Sequence, residues 1–187
     1  MRVLQALVTA MLCCLVVVGC SDGETVRPAP LPTESETVAP TPGNRPPILD
    51  PVGDTHTPAG IENVARYFID TITFAIQTGD TSLLRQASTR ECKSCRAIAN
   101  NIEEIYESGG SIETAGWELQ SYRLLGFDQA DETAVSSLNV IQLPALTTHR
   151  PGAEPTPSKR VSRTFTLHLS QVRIGWVVAQ FDLVSSK

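Results

Sequence analysis

The stretch that decides the fold is "TPAGIENVARYFIDTITFAIQTG", residues Thr57 to Gly79. A threonine followed by proline is a typical helix start, because the hydroxyl caps the first turn and proline fits the first helical position. Gly79 supplies a stop signal at the other end. Between them, apolar residues recur at the i, i+3, i+4, i+7 spacing of one helix face; they are Ile61, Val64, Ala65, Phe68, Ile72, Ala75 and Ile76. The pattern predicts one long amphipathic helix.

Two further helices are predicted after it. Asp80 is a cap for a short helix over residues 81–87, and residues 91–106, "ECKSCRAIANNIEEIY", carry an apolar face that ends at the glycine pair 109–110. Residues three apart inside a helix have Cβ atoms ~5–6 Å apart, whereas a disulfide prefers ~3.8 Å. A bonded Cys92–Cys95 pair therefore requires the third helix to begin at about Lys93.

After these helices the apolar period changes to two, which is typical of half-buried strands. Four strands are predicted, over residues 119–127, 135–143, 161–169 and 172–184. We expect a tight turn at Ser170-Gln171, a short turn at 128–132, and a long, mobile loop from Pro144 to Lys159. Helices grouped before strands predict an α+β fold, with three N-terminal helices packed on one face of a four-stranded antiparallel sheet.

The amino terminus carries an export signal. An apolar run from Val3 to Val18 follows Arg2 and is short of the ~20 residues that span a bilayer. Residues Val17 to Cys20, at the end of this run, resemble the bacterial lipobox. In that signal a diacylglycerol is attached to the cysteine, and the peptide bond before the cysteine is cleaved. We therefore predict a signal peptide over 1–19 and a lipid on Cys20 that holds the chain at the extracytoplasmic face of the cell membrane. An uncleaved anchor and a cytosolic protein whose start only resembles a signal are the alternatives.

Residues 20–57 are rich in proline, threonine and acidic residues and contain no aromatic residue. Such a composition cannot bury enough apolar surface to offset ordering, so it predicts a disordered tether. The tether carries a charge of −4, and residues 58–187 carry −2. This acidic balance argues against nucleic acid as a partner. Residues 58–187 have the size of one domain.

The pair Cys92 and Cys95 has four readings: a structural disulfide, a redox-active pair, free thiols or part of a metal site. Export into an oxidising compartment favours the disulfide. A thioredoxin-like motif would lie in a βαβ unit, and this pattern is helices followed by strands. Two thiols are too few ligands for a metal, and the sequence has no second C-x-x-C and no nearby histidine pair. We expect no metal and no cofactor.

The motifs "TGDTSLL" (78–84) and "RIGWVVAQFDL" (173–183), with the helices and strands around them, resemble the nuclear transport factor 2-like superfamily. More narrowly, the lipobox, the tether, "TPAGIENVARYF" (57–68), "ECKSC" (91–95) and "IYESGGSIE" (105–113) resemble a family of actinobacterial lipoproteins, domain of unknown function 6318. The resemblance implies a cone in which a curved sheet wraps the first helix, and it implies no established activity.

Arg123 and Arg163 each share a strand face with apolar residues, so either could hold an anion inside such a cone; a solvated surface arginine is the alternative. The candidate pocket comprises Phe68, Arg123, Arg163, Phe165, Leu167 and Trp176. We expect a non-enzymatic domain for binding or assembly at the cell envelope, with an envelope protein or a small molecule as partner. A ligand-transforming cone and a thiol oxidoreductase that uses Cys92 and Cys95 are the alternatives.

Overall fold

The computed structural model describes residues 45–49, 56–173 and 175–184. The helices of this part are α1 (Pro58–Thr78), α2 (Ser82–Gln86) and α3 (Lys93–Glu107). Its strands are β1 (Ser111–Thr114), β2 (Trp117–Asp128), β3 (Thr133–Gln142), β4 (Ala145–Thr148), β5 (Thr156–Ser158), β6 (Val161–Val172) and β7 (Gly175–Leu183). The predicted signal peptide, Cys20 and most of the predicted tether lie outside the described residues.

Helix α1 begins and ends at the residues that the sequence indicates. The Thr57 hydroxyl accepts a hydrogen bond from the backbone N–H of Gly60 at 3.1 Å, which satisfies one of the unpaired donors of the first turn. Gly79 takes a left-handed conformation with φ 78° and donates its N–H to the carbonyl of Ala75. The apolar face of α1 is buried, with Ile61, Phe68 and Ile72 at 0% exposure. The prediction of a long amphipathic helix is confirmed.

The main sheet has four antiparallel strands in the order β2-β3-β6-β7. These are the four strands that the period of two predicts, and β2 and β3 are joined across residues 129–132 as expected. The α+β class with antiparallel pairing is confirmed. The turn between β6 and β7 is not at Ser170-Gln171, however, because the ladder continues to the pair Val172–Gly175.

A second sheet corrects the predicted architecture of one four-stranded sheet. Strands β1, β4 and β5 form an antiparallel sheet in the order β1-β4-β5. Two of these strands lie within Pro144–Lys159, so the prediction of a long loop there is wrong. The physical reason is backbone pairing with β1, a segment more than 30 residues earlier that carries no strong alternation of its own.

The core lies between α1, α3 and the main sheet, and aromatic rings fill its centre. Phe165 stacks on Phe181 with ring centroids 4.3 Å apart, and Phe68 meets Phe181 edge-on at 5.2 Å. Leu49 also packs against this core, although it belongs to the stretch predicted as tether. Segment 87–89 runs beside the sheet edge, where Ser88 forms a parallel bridge with Val178 of β7.

Candidate ligand-binding site

A cavity of about 560 Å³ opens between α3, the second sheet and the end of the main sheet where β2 and β6 begin. Its size falls within the range typical of small-molecule sites. The apolar wall is formed by Ile76, Ile98, Ile102, Ile112, Trp117, Leu143 and Val161. Polar groups at the cavity are Asn101, Thr114, Gln142, Ser158, Lys159 and Arg163. We call this space the apolar cavity.

Trp117 is the central aromatic residue of the apolar cavity, and Thr73 of α1 fixes its backbone. The Thr73 hydroxyl accepts from the Trp117 N–H at 3.0 Å and donates to the Trp117 carbonyl at 3.1 Å. Gln77, one helical turn later, donates to the carbonyl of Thr114 at 3.2 Å. The start of β2 and the end of β1 are therefore held on α1, so the wall formed by Trp117 is preorganised.

The apolar cavity does not continue into the centre of the domain, because the aromatic rings occupy that space. Trp117 stacks on Phe165 with ring centroids 6.0 Å apart, and Phe165 in turn stacks on Phe181. The centre of the domain is thus packed, and the apolar cavity lies at one end of it. A ligand in the cavity would lie against Trp117.

Among the described residues, the charged groups that line the apolar cavity are cationic. Arg163 is exposed and donates from Nε to the Gln142 side-chain oxygen at 3.2 Å, which orients the guanidinium. Lys159 is also exposed and directly follows Ser158 of the cavity wall. The part of the chain that the structure describes contributes no carboxylate to the cavity lining. An anionic group at this edge would be attracted, and a cationic one would be repelled.

The structure places the predicted pocket residues differently. Phe68 and Leu167 are fully buried, and Phe165 and Trp176 are 7% and 5% exposed, so these four form packed core rather than a cavity wall. Of the predicted set, Arg163 lines the apolar cavity.

Arg123 is exposed and lies outside the apolar cavity, because β2 does not keep a strict period of two. Its pairing with β3 shifts register between Leu119 and Ser121 and again between Leu124 and Gly126. Each irregularity changes which residues point inward. Arg123 consequently points outward between the half-buried Tyr122 and Leu124, whereas the sequence pattern predicts it on the apolar face.

One buried polar pair of the main sheet joins β2 and β3. Ser136, at 0% exposure, donates to the Tyr122 hydroxyl at 3.1 Å. Burial raises the pKa of Tyr122, and the hydrogen bond from Ser136 lowers it by less. A phenol with a raised pKa is protonated near neutral pH, so Tyr122 is not suited to act as a general base.

Cys92 and Cys95 have the placement at the start of α3 that the sequence predicts for a bonded pair. Helix α3 begins at Lys93, Cys92 is its N-cap, and the two sulfur atoms are at disulfide distance, 2.00 Å. The Cys92 sulfur also accepts from the N–H of Cys95 at 3.3 Å. Both residues are 1% exposed. Such burial disfavours exchange with a partner thiol, which needs access to one of the sulfur atoms.

Trp176 packs at the opposite side of the core from Trp117. Its ring contacts Phe127 at 6.1 Å and His56 at 5.9 Å between centroids. Its indole nitrogen is buried without a hydrogen-bond partner among the described residues. His56 belongs to the stretch predicted as tether, so the ordered contacts of the domain begin before Pro58.

Sequence reasoning did not identify Thr73, Gln142 or the apolar residues of α3 as functional. Thr73 lies off the apolar stripe of α1, and Gln142 ends an ordinary strand pattern. Ile98 and Ile102 were interpreted as core positions. The cavity that joins them depends on β1, β4 and β5, which the sequence did not predict.

The described residues contain neither a cluster of metal ligands nor a helix that could span a membrane. Residues 45–49, 56–173 and 175–184 contain no group of three or more histidine, cysteine or acidic side chains that could hold a metal ion. Over the same residues, no helix has both the length and the apolar character needed to cross a bilayer.

A family model described as "Family of unknown function (DUF6318)" matches residues 37–152, more than half of the chain. No curated protein matches the sequence. Among solved structures, the intermembrane space region of chloroplast protein ARC6 is similar with a TM-score of 0.51 and 11% identity, over 70% of this chain and 98% of that one. An NTF2-like protein of unknown function from Prochlorococcus marinus gives a TM-score of 0.43 and 15% identity, over 70% and 94% of the two chains.

Proposed function

The chain belongs to this family of unknown function, and from that premise we propose that its domain is a non-enzymatic binding module for an amphipathic anion. The apolar body of the ligand occupies the apolar cavity, and its anionic group lies at Lys159 and Arg163. The observation that carries the proposal is the combination of a largely apolar wall with an edge whose charged groups are both cationic. The long first helix on a bulged antiparallel sheet supports the interpretation as a nuclear transport factor 2-like cone.

Binding rather than catalysis is the better interpretation of this cavity. A general acid or base needs a titratable group within hydrogen-bond reach of the reacting atoms. The charged residues at the cavity are a lysine and an arginine, both exposed, and its other polar side chains are amides and hydroxyls. These groups can orient a ligand by hydrogen bonding and charge.

We place this module at the extracytoplasmic face of the cell membrane, held by a lipid on Cys20. The support is the resemblance of Val17 to Cys20 to a lipobox and the cysteine pair at disulfide distance, which is typical of oxidising compartments. In that location the ligand is an envelope component or the exposed part of an envelope protein. Intact mass of protein from the membrane fraction tests the placement, and an unprocessed start at Met1 or a lipid-free Cys20 would contradict it.

Decanoate is a suitable probe, because it has an apolar chain and one carboxylate. Ala97 is exposed and lines the apolar cavity, so Ala97→Trp fills the cavity from its edge without changing the core. We expect the full chain to bind decanoate and the Ala97→Trp variant to bind it at least tenfold more weakly. Ala130→Trp, the same change in the exposed β2–β3 turn, is the matched control. Equal binding by all three proteins would refute the assignment of the cavity.

A second comparison isolates the cationic edge. Arg163→Gln should weaken decanoate binding by about three- to tenfold, because one exposed charge interaction is worth about 1 kcal/mol. The same variant should bind decanol as the parent protein does. If the affinities for decanol and decanoate fell equally, Arg163 would be shaping the wall rather than attracting the anion.

A further inference from the structure

A second concavity lies on the other side of α3 from the apolar cavity. It has a volume of about 230 Å³ and is lined by Arg85, Ser88, Thr89, Arg90, Cys95 and Arg96. We call it the arginine pocket. Three of its six lining residues are arginines in a chain whose net charge is −5.

We infer that the arginine pocket is a binding site for a phosphate-type oxyanion, separate from the apolar cavity. Guanidinium groups present several planar N–H donors that match the oxygen atoms of phosphate, and they are the usual choice where oxyanions are recognised. A concavity of this size accommodates one such group with its solvent. The proposal does not depend on the ligand of the apolar cavity.

Two of the three arginines form no ion pair with a carboxylate of the described residues. Arg85 is engaged by Glu103, with Nη2 to Oε2 at 2.6 Å and Nε to Oε1 at 2.9 Å. Arg90 and Arg96 form no ion pair within the described part of the chain. Glu91, next to Arg90 in sequence, is exposed and forms none there either. Arg90 and Arg96 therefore give the pocket a positive charge that is not neutralised by an ion pair within the described residues.

The Thr89 hydroxyl gives an independent indication of a ligand. Its oxygen is buried and has no hydrogen-bond partner among the described residues. A buried polar atom without a partner costs folding free energy, and proteins rarely retain one without a use. Thr89 lines the arginine pocket, and rotation of its side chain would turn the buried hydroxyl to an oxyanion there, which would satisfy it.

The frame of the arginine pocket is rigid before any ligand arrives. Thr89 donates its N–H to the Val178 carbonyl at 2.8 Å, and Val178 donates to the Ala87 carbonyl at 2.9 Å, so the segment is fastened to β7. Cys92 then donates its N–H to the Thr89 carbonyl at 3.2 Å. Arg90 and Arg96 flank the short ring closed by Cys92 and Cys95. The cysteine motif would thus hold the two arginines in place, a role beyond capping α3.

Titration of the full chain with inorganic phosphate tests the site. Calorimetry measures the binding, and the NMR signals of the arginine Nε–H groups report which arginines take part. We expect binding at one site, and we expect Arg90→Gln and Arg96→Gln each to weaken it by about tenfold or more, as for a charge-assisted hydrogen bond. Arg123→Gln, an exposed arginine on β2, is the control and should leave the affinity unchanged. Absence of saturable binding, or an equal loss in the Arg123 variant, would overturn the proposal.

Thr89→Val separates recognition from structure. Because the hydroxyl has no partner, valine should leave the unfolding free energy unchanged or raise it, while phosphate binding weakens severalfold. Unweakened phosphate binding in this variant would contradict the assigned role of Thr89. Ala97→Trp should leave phosphate binding intact, so failure of the apolar cavity and failure of the arginine pocket are distinguishable.

The phosphate could belong to a free anion or to a lipid headgroup, and a second probe distinguishes the two sources. Dihexanoyl phosphatidylglycerol, kept below its micelle concentration, presents a headgroup phosphodiester in solution. Binding that competes with inorganic phosphate and is lost in Arg96→Gln supports a headgroup ligand. Binding of inorganic phosphate alone supports a small free oxyanion, and binding of neither refutes the site.

Discussion

At the scale of single residues, two positions on α1 determine how the rest of the chain meets it. Gly79 ends the helix and lies directly against the ring of Tyr106, whose hydroxyl donates to the Ile76 carbonyl at 2.7 Å. Thr73 holds both backbone groups of Trp117. The first of these residues was evident from its sequence context as a helix stop. The second was not, because its partner is 44 residues away.

Gly79→Ala should lower the unfolding free energy by about 2–3 kcal/mol. The φ of 78° is unfavourable for alanine, and the new Cβ would lie 2.6 Å from Cγ of Tyr106. Two controls separate these causes in urea unfolding. Gly152→Ala has φ 77° but no atom within 4 Å of the new Cβ and should cost about 1 kcal/mol, whereas Gly126→Ala has neither problem and should cost less. Equal effects at Gly79 and Gly152 would show that contact with Tyr106 is unimportant.

Thr73→Val should cost about 2 kcal/mol or more, because it leaves the N–H and carbonyl of Trp117 without their partner. Thr71→Val on the same helix is the matched control. The Thr71 hydroxyl donates only to the Phe68 carbonyl, three residues back, so its loss should be smaller. Unfolding followed by tryptophan fluorescence measures both variants. A larger loss at Thr71 than at Thr73 would contradict the assigned role of Thr73.

At the scale of elements, prediction from the sequence succeeded where the residues of one segment carry the pattern of a helix or strand. It failed where a segment is a strand only because it pairs with another segment. The stripe of α1 and the alternation of β6 are local features, and both helix and strand lie where predicted. Strands β1, β4 and β5 have four residues or fewer, and β5 contains Pro157, so no local pattern marks them. Their pairing with one another determines them, and this pairing is also what completes the apolar cavity.

The ion pair between α2 and α3 should make stability depend on pH. Hydrogen bonds from Arg85 and then Thr81 lower the pKa of Glu103 below its ordinary value of 4.5. A carboxyl whose pKa is lower in the folded state stabilises the fold above pH 4.5, and that contribution is lost as the pH falls through the folded pKa. Both side chains are substantially exposed, so solvent screening limits the effect to about 0.5–1 kcal/mol.

Urea unfolding of Glu103→Gln at two pH values measures this contribution. The variant should be less stable than the parent at pH 7 by about that amount, and the difference should disappear near pH 2. Glu104→Gln is the control, since Glu104 lies on the same helix, is exposed and forms no ion pair within the described residues. A difference that persists unchanged at low pH would show that Glu103 acts through packing instead.

The bond between Cys92 and Cys95 should contribute little to stability, because it closes a ring of very few residues. For so short a ring the chain-entropy model gives about 2 kcal/mol. Strong reductant should therefore lower the unfolding free energy of the parent protein by no more than this amount. Cys92→Ala/Cys95→Ala should show no response to reductant, which makes it the control. A loss above ~5 kcal/mol on reduction would mean that the bond holds more than one helix start.

At the scale of the whole molecule, the domain begins earlier than its composition indicates. Residues 20–57 share a tether-like composition, yet Leu49 packs on the core and His56 contacts Trp176. Composition averaged over a segment cannot reveal one apolar side chain that finds a site on a distant surface. The family match, which starts at residue 37, also begins within this segment.

Leu49 and its neighbour Ile48 allow a direct test of that boundary. Leu49→Ala should lower the unfolding free energy by about 1–2 kcal/mol, because a partly buried side chain loses its contacts with the core. Ile48→Ala should change it by less than ~0.5 kcal/mol, since Ile48 is 90% exposed. The two substitutions are adjacent and remove similar volumes, so only burial distinguishes them in urea unfolding. Equal effects would place the start of the folded domain at α1, and the segment before it would be tether throughout.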